Sequence, residues 1–312
     1  FTLCPGVASR ILTGTYDLVH CFPAINRNNR LAVAAARLRG TPVFLTSYDA
    51  FDYSAVVNRE GFEPGDLDRL TFSESAKRQF ERFSAIFTIS ERETRLLKAV
   101  NPNTFLSTVP VRLDEFDPLP DIAGFRKKLN IPEGVRIVLS LSRVSHIKGQ
   151  DILLAAIPHL RERTRDFVVV IAGRTDYEPE FHRGLQDYVR EHGLGGVVLF
   201  TGSLSREDAL AALAGCAVHV LPMRFMNSGA VVVETWASRR PVIQSNRVDP
   251  NYVVEGDNGF TFDVGDPAGL AARIAETLDD PARADRMGVN GRKLVETRFL
   301  YSHLAAQYLE VY

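Results

Sequence analysis

The chain has few cysteines, and no two of them lie close together in sequence: Cys4, Cys21 and Cys216. That spacing argues against a disulfide framework or a zinc site, and each cysteine reads as a small buried hydrophobe. The seven histidines show no HExxH or comparable spacing, so no metal and no cofactor is expected. No apolar run reaches the roughly 18 residues of a membrane helix. The chain therefore reads as cytoplasmic. A peripheral contact through Arg-bearing helices with an anionic membrane surface stays open beside the plainer reading of a solvated face. Charge of one sign is also missing: 37 Lys and Arg face 38 Asp and Glu. Without a net positive field, nucleic acid is not an expected partner. No signal peptide, internal repeat or low-complexity tract is visible. Phe1 is not a usual start residue, so targeting information is expected to lie outside this sequence.

What the chain does have is alternation. Short apolar runs are separated by longer amphipathic stretches over 312 residues, which predicts two α/β domains with parallel sheets. In the first block the predicted strands are 18–22, 43–46, 85–90 and 104–109, with helices over 30–39, 73–83 and 91–99. Asp117-Pro118-Leu119-Pro120 can continue neither a helix nor a central strand and reads as a linker. After it come predicted strands 136–141, 167–172, 197–201, 218–221, 241–244 and 259–262. A helix over 151–161 points Ile152, Leu153, Ala156, Ile157 and Leu160 inward, and an amphipathic helix closes the chain over 300–311. The expected division is 1–116 plus 300–312 against 117–299. The first block has about four strands where a Rossmann-like domain has about six. Either it is incomplete at its N-terminus or it is a naturally small domain.

The chemistry concentrates in the second block. The strand 136–141 runs into Ser142-Arg143-Val144-Ser145-His146-Ile147-Lys148-Gly149, which places two cations at the carboxyl edge of a parallel sheet, where ligands of open α/β folds bind. A guanidinium forks onto phosphate oxygens and an ammonium adds a movable point charge. Alone, the pattern also fits a solvated loop. Further on, Asn227-Ser228-Gly229 opens a helix beginning Ala230-Val231. The first amides of a helix lack internal partners and favour an anion, so a diphosphate suits this turn. Glu234, one turn in, is placed to accept from a ribose diol. The apolar run Ala230-Val231-Val232-Val233 implies burial, which an unpartnered carboxylate would not tolerate. Gly173 would let backbone approach a ligand, and Leu204 would present backbone to a base edge. Each such feature is more often only a turn.

Together these residues resemble the retaining glycosyltransferases of family 4, which have the GT-B fold. The matching words are Leu141-Ser142-Arg143, Lys148-Gly149-Gln150-Asp151, Ile171-Ala172-Gly173, Phe200-Thr201-Gly202, Gly229 with Glu234, Arg240-Pro241-Val242-Ile243 and Gly256-Asp257-Asn258-Gly259-Phe260. The first block matches more loosely, through Tyr16-Asp17-Leu18-Val19-His20, Gly40-Thr41-Pro42-Val43 and 85–90. The resemblance implies two Rossmann-like domains facing across a cleft and a UDP- or GDP-sugar as donor. Arg143, Lys148, Gly229 and the amides of Ala230 and Val231 would hold the diphosphate, with Ser228 in the same turn. Glu234 would hold the ribose, and the Leu204 backbone the base. The acceptor, a carbohydrate, lipid, protein or natural product, would enter from the first domain, onto which the final helix would cross back. Oligomerisation stays open.

Three positions depart from the family pattern. Met226 stands where the family has a glutamate that touches donor-sugar hydroxyls, and a thioether does not replace those oxygens. Tyr48 stands where a histidine faces the reacting sugar; a phenol with a pKa near 10 is a poor base at neutral pH. Val111-Arg112 replaces the usual Asn-Gly before the hinge. The resemblance thus implies an active transferase, with a nucleotide-sugar-binding or structural subunit as the competing reading. A changed reaction on the same fold, epimerase or phosphorylase, ranks last.

Overall fold

A computed structural model describes residues 4–22, 27–48, 71–118, 120–225, 229–248 and 252–312. The chain divides into two compact units, Phe1–Val109 with Ser302–Tyr312, and Pro110–Tyr301.

The described residues of the first unit run α1 (Pro5–Thr13), β1 (Val19–Cys21), α2 (Arg27–Leu38), β2 (Val43–Ser47), α3 (Glu74–Phe80), β3 (Ala85–Thr88), α4 (Glu91–Lys98) and β4 (Thr104–Leu106). All four strands are parallel, in the order β1-β2-β3-β4. β3 is shorter than predicted because Ser90 leaves the strand to cap α4: its hydroxyl accepts from the Glu93 amide at 3.2 Å. α3 likewise ends before 83, and Phe83 turns inward to pack with Phe80, Ile86 and Leu97. The chain's last helix, Tyr301–Val311, lays Tyr308 and Val311 on Phe44, Ala85 and Phe87. A polar chain fixes it there. Tyr308 shares a hydrogen bond with Thr46 at 2.7 Å, Thr46 with His20 at 2.8 Å, and His20 in turn with Tyr312.

The second unit holds α5 (Ile122–Lys128), β5 (Arg136–Leu141), α6 (Gln150–Arg161), β6 (Phe167–Ala172), α7 (Pro179–Glu191), β7 (Val198–Gly202), α8 (Arg206–Gly215), β8 (Val218–Leu221), α9 (Ala230–Ala237), β9 (Val242–Ser245), β10 (Gly259–Phe262), α10 (Pro267–Asp279) and α11 (Pro281–Arg298). Its sheet is wholly parallel, ordered β10-β9-β8-β5-β6-β7. Helices cover both faces, so β6 is buried at every residue and reads as a continuous apolar run. α6 buries Ile152, Leu153, Ala156, Ile157 and Leu160 as its 3.6-residue period predicts. Caps begin several helices: the side chains of Asp121, Ser205, Asp266 and Asp280 each accept from an amide three residues on.

The 117–120 stretch, expected as a linker, is anchored where the structure describes it. Phe116 is buried against Val233, Trp236 and Phe299, and Asp117 takes Arg292 at 2.5 Å and Arg239 at 3.0 Å. Burial works against the charged carboxylate, but the two guanidiniums outweigh it and hold Asp117 below its usual pKa. Val111 bridges to Leu300, so the segments entering and leaving this unit run side by side. No helix among the described residues is long and apolar enough to cross a membrane.

Candidate functional site

The second sheet reverses its strand order between β5 and β8, because β6 and β7 extend one way and β9 and β10 the other. Such a switch point opens a crevice at the carboxyl ends of the two strands. Arg143 and Lys148 follow β5, and the 222–225 segment follows β8.

The two loops are clasped together. Gly149 has φ +69° and begins α6, and a Cβ there would lie 1.9 Å from the Pro222 carbonyl oxygen, so only glycine admits the contact. The Arg224 amide donates to the Ile147 carbonyl at 2.9 Å. Its guanidinium forks onto Asp151 at 2.9 and 2.7 Å and reaches the His146 carbonyl at 2.8 Å. Lys148 Nζ lies 3.6 Å from Met223 Sδ. The ammonium is thus held against the segment that follows β8.

Gln150 shapes the Arg143 loop from beneath. It is fully buried, and its Nε2 donates to Ser142 Oγ at 3.0 Å and to the Arg143 carbonyl at 3.1 Å. The Arg143 guanidinium rests 3.9 Å from the centre of the Tyr177 ring, a cation–π contact, and forms no ion pair among the described residues. His146, whose amide donates to Glu178 at 2.8 Å, has its pKa lowered by burial and then by the Arg224 charge. A neutral His146 leaves Arg143 and Lys148 as the loop's cations.

α9 begins at Gly229 with no side-chain cap. The amides of Ala230 and Val231 lie in the first turn of this helix, where intrahelical partners are lacking. Glu234, one turn on, is one-quarter exposed and has a partner that sequence reasoning missed: Arg206 Nη1 donates to its Oε1 at 2.7 Å. Arg206 also donates to Glu115 Oε2 at 2.9 and 2.6 Å. Gly173, φ +143°, also has a packing reason. A Cβ there would lie 1.9 Å from the Ser142 carbonyl oxygen, so the glycine admits the neighbouring loop's backbone. Leu204 packs its side chain against the apolar cluster around Leu139 and Leu213. Met226 and Ser228 lie outside the described residues. Tyr48 follows β2 in the first unit, partly exposed, while every other described candidate lies in the second. Among the described residues, no group of three or more His, Cys, Asp or Glu could hold a metal.

A family model described as "Glycosyl transferases group 1" matches residues 121–294, more than half of the chain. The chain belongs to the group 1 glycosyltransferases. Within that family it is 31% identical, over 76% of its length and 64% of the relative's, to the GDP-mannose-dependent alpha-(1-6)-phosphatidylinositol monomannoside mannosyltransferase of Mycolicibacterium smegmatis. It is 27% identical, over 88% of its length and 60% of the relative's, to the D-inositol 3-phosphate glycosyltransferase of Streptomyces avermitilis. The chain thus spans about three fifths of the length of these two group 1 enzymes. Among solved structures, Anabaena HepE in complex with UDP and glucose superposes with a TM-score of 0.77 at 21% identity, over 98% of this chain and 80% of that one. Sucrose-phosphate synthase from Thermosynechococcus elongatus superposes with a TM-score of 0.75 at 25% identity, over 95% and 73%. The fold is that of the GT-B glycosyltransferases.

Proposed function

We propose that this chain binds a nucleoside-diphosphate sugar, a UDP- or GDP-sugar, in the β5/β8 crevice and transfers the sugar with retention to an acceptor hydroxyl. The clasp between the Lys148 loop and the 222–225 segment carries the reading, because it holds a cation on the segment that leaves β8, while α9 begins without a side-chain cap. Arg143 and Lys148 would take the diphosphate oxygens, the amides of Ala230 and Val231 would complete the cradle with Ser228, and Glu234 would take the ribose diol. Gly173 and Leu204 would border the base. In the reaction the bond from the anomeric carbon to the diphosphate oxygen breaks, the acceptor oxygen bonds to the same face, and its proton passes to the leaving diphosphate. These charges oppose the charge building on the leaving group, so no metal is assigned a role. HepE, whose structure contains UDP and glucose, and the GDP-mannose-dependent relative support this donor class.

Met226 and Tyr48 favour a second reading, a subunit that binds nucleotide sugar without turning it over. A panel of nucleotide sugars screened for thermal stabilisation identifies the donor, since a bound ligand raises stability by mass action. Transfer and hydrolysis of that donor, unchanged by a chelator, are then expected. Tight binding with no turnover on any donor favours the second reading, and no stabilisation by any nucleotide removes both.

A further inference from the structure

We propose that His219 is a positioning residue for the donor, fixing the carboxyl ends of β5 and β8 and through them the Arg143 loop and the Glu234 helix. The inference rests on the donor-binding reading above. The ladder between β5 and β8 pairs Val138 with Val218 and Leu139 with His219 and then stops. On their outer sides the same strands stay paired to their last residues, Leu141 with Ala172 and Leu221 with Gln244. The sheet therefore parts between β5 and β8 at the edge where the crevice opens.

The His219 side chain bridges that parting. Leu141 N–H, beyond the last β5/β8 pair, donates to His219 Nε2 at 3.1 Å. On the other side of the ring, Nδ1 lies 2.6 Å from Thr235 Oγ1, and Thr235 gives its own proton to the Val231 carbonyl at 2.7 Å. These partners admit one arrangement: Nε2 bare and accepting, Nδ1 protonated and donating. The imidazole thus ties the residue just ahead of Ser142-Arg143 to the residue just after Glu234. Val231, one of the proposed phosphate-facing residues, ends the chain of bonds. His219 and Thr235 are both wholly buried, so each lost bond leaves a buried polar group unpaired. Ordinary core packing would need only an apolar side chain of this size.

The test measures UDP and GDP binding by calorimetry, well below the melting temperature of each variant. Thr235→Val keeps the shape and removes the hydroxyl, and with it the imidazole's acceptor and the bond to the Val231 carbonyl, whereas His219→Phe removes both imidazole bonds and leaves the Thr235 hydroxyl on Val231. Thr235→Ser restores the hydroxyl. Expected are a Kd raised at least fivefold in Thr235→Val and His219→Phe, and a Kd within twofold of wild type in Thr235→Ser. Lower melting temperatures with an unchanged Kd in Thr235→Val would reduce His219 to a satisfied core residue and overturn the proposal. Should His219→Phe not fold, the Thr235 pair decides alone. A wild-type protein that binds neither UDP nor GDP overturns the donor reading itself, and this inference with it.

Discussion

Arg206 and Glu234 meet at 2.7 Å across the start of α8 and the middle of α9, and the bond occupies one carboxylate oxygen, Oε1. The contact fixes the turn of the Glu234 side chain, with Oε2 as the oxygen that would meet a ribose diol. Glu234→Ala is expected to weaken UDP or GDP binding about tenfold and to abolish preference for the nucleotide over its 2′,3′-dideoxy analogue; hydrogen bonds to charged groups contribute about 1.5–3 kcal/mol. Titration of both ligands against both proteins measures this, and retained preference would remove Glu234 from the ribose site. Arg206→Ala should change the melting temperature little, because its guanidinium is half-exposed and such pairs contribute about 0–1 kcal/mol.

Arg143 stacks on Tyr177 and pairs with no carboxylate among the described residues, which leaves its charge for the diphosphate in the proposed reading. Losing one preorganised donor to a developing anion costs about 3–4 kcal/mol, or on the order of 10²–10³ in rate. Arg143→Ala is therefore expected to lower turnover at least tenfold. Arg143→Lys should recover only part, because an ammonium lacks the planar fork. Wild-type turnover in Arg143→Ala would refute the assignment.

Gly149→Ala should be severe. The left-handed backbone alone costs about 1–2 kcal/mol in a residue with a Cβ, and that carbon would collide with the Pro222 carbonyl. About 2–4 °C of melting temperature is lost per kcal/mol at this domain size. Nucleotide affinity should fall with it, because relieving the collision separates the two clasped loops. Gly134→Ala is the control: φ is +82° there too, but nothing lies within 4 Å of the added carbon. Its loss should be confined to the backbone cost, with affinity unchanged.

Acid should unfold the protein through its buried histidines. Burial lowers His219 to a pKa of about 3 and His20 to about 4, against an ordinary 6.5. Below pH 6.5 the unfolded chain binds these protons and the folded chain does not, so stability falls as pH falls. For His219 the loss is about 1.4 kcal/mol per pH unit and continues towards pH 3. Urea midpoints at pH 7.5, 6.5 and 5.5 measure the slope. His219→Gln, which has no titrating group, should show a shallower slope between the lower two points, and an equal slope would contradict the assignment.

Much of this architecture is legible in the sequence because parallel strands covered on both faces are continuous apolar runs. β5, β6, β8 and β10 fall on the predicted residues for that reason. That Arg143 and Lys148 follow β5, and that a helix starts at Ala230, was legible because apolar runs mark both elements. Strand ends in the first unit were less so. Ser90 has the composition of either a strand end or a cap, and only its bond to the Glu93 amide decides. Arg206, Arg224 and His219 were missed for a common physical cause: each acts on a partner far away in sequence, at Glu234, Asp151 and Leu141. His219 did leave a trace, as the one polar residue inside the apolar run Val218-His219-Val220-Leu221. The packing of Gly173 against the Ser142 carbonyl was not legible, since a sequence shows that a side chain is missing but not what fills its space.

The last helix packs on the first sheet, through Tyr308 and Thr46, although the whole second unit lies between them in the chain. During synthesis the second unit can therefore finish folding while the first still waits for residues not yet made. Until Tyr308 and Val311 leave the ribosome, Phe44 and Phe87 lack that cover, so the first unit's core waits on residues made after the second unit.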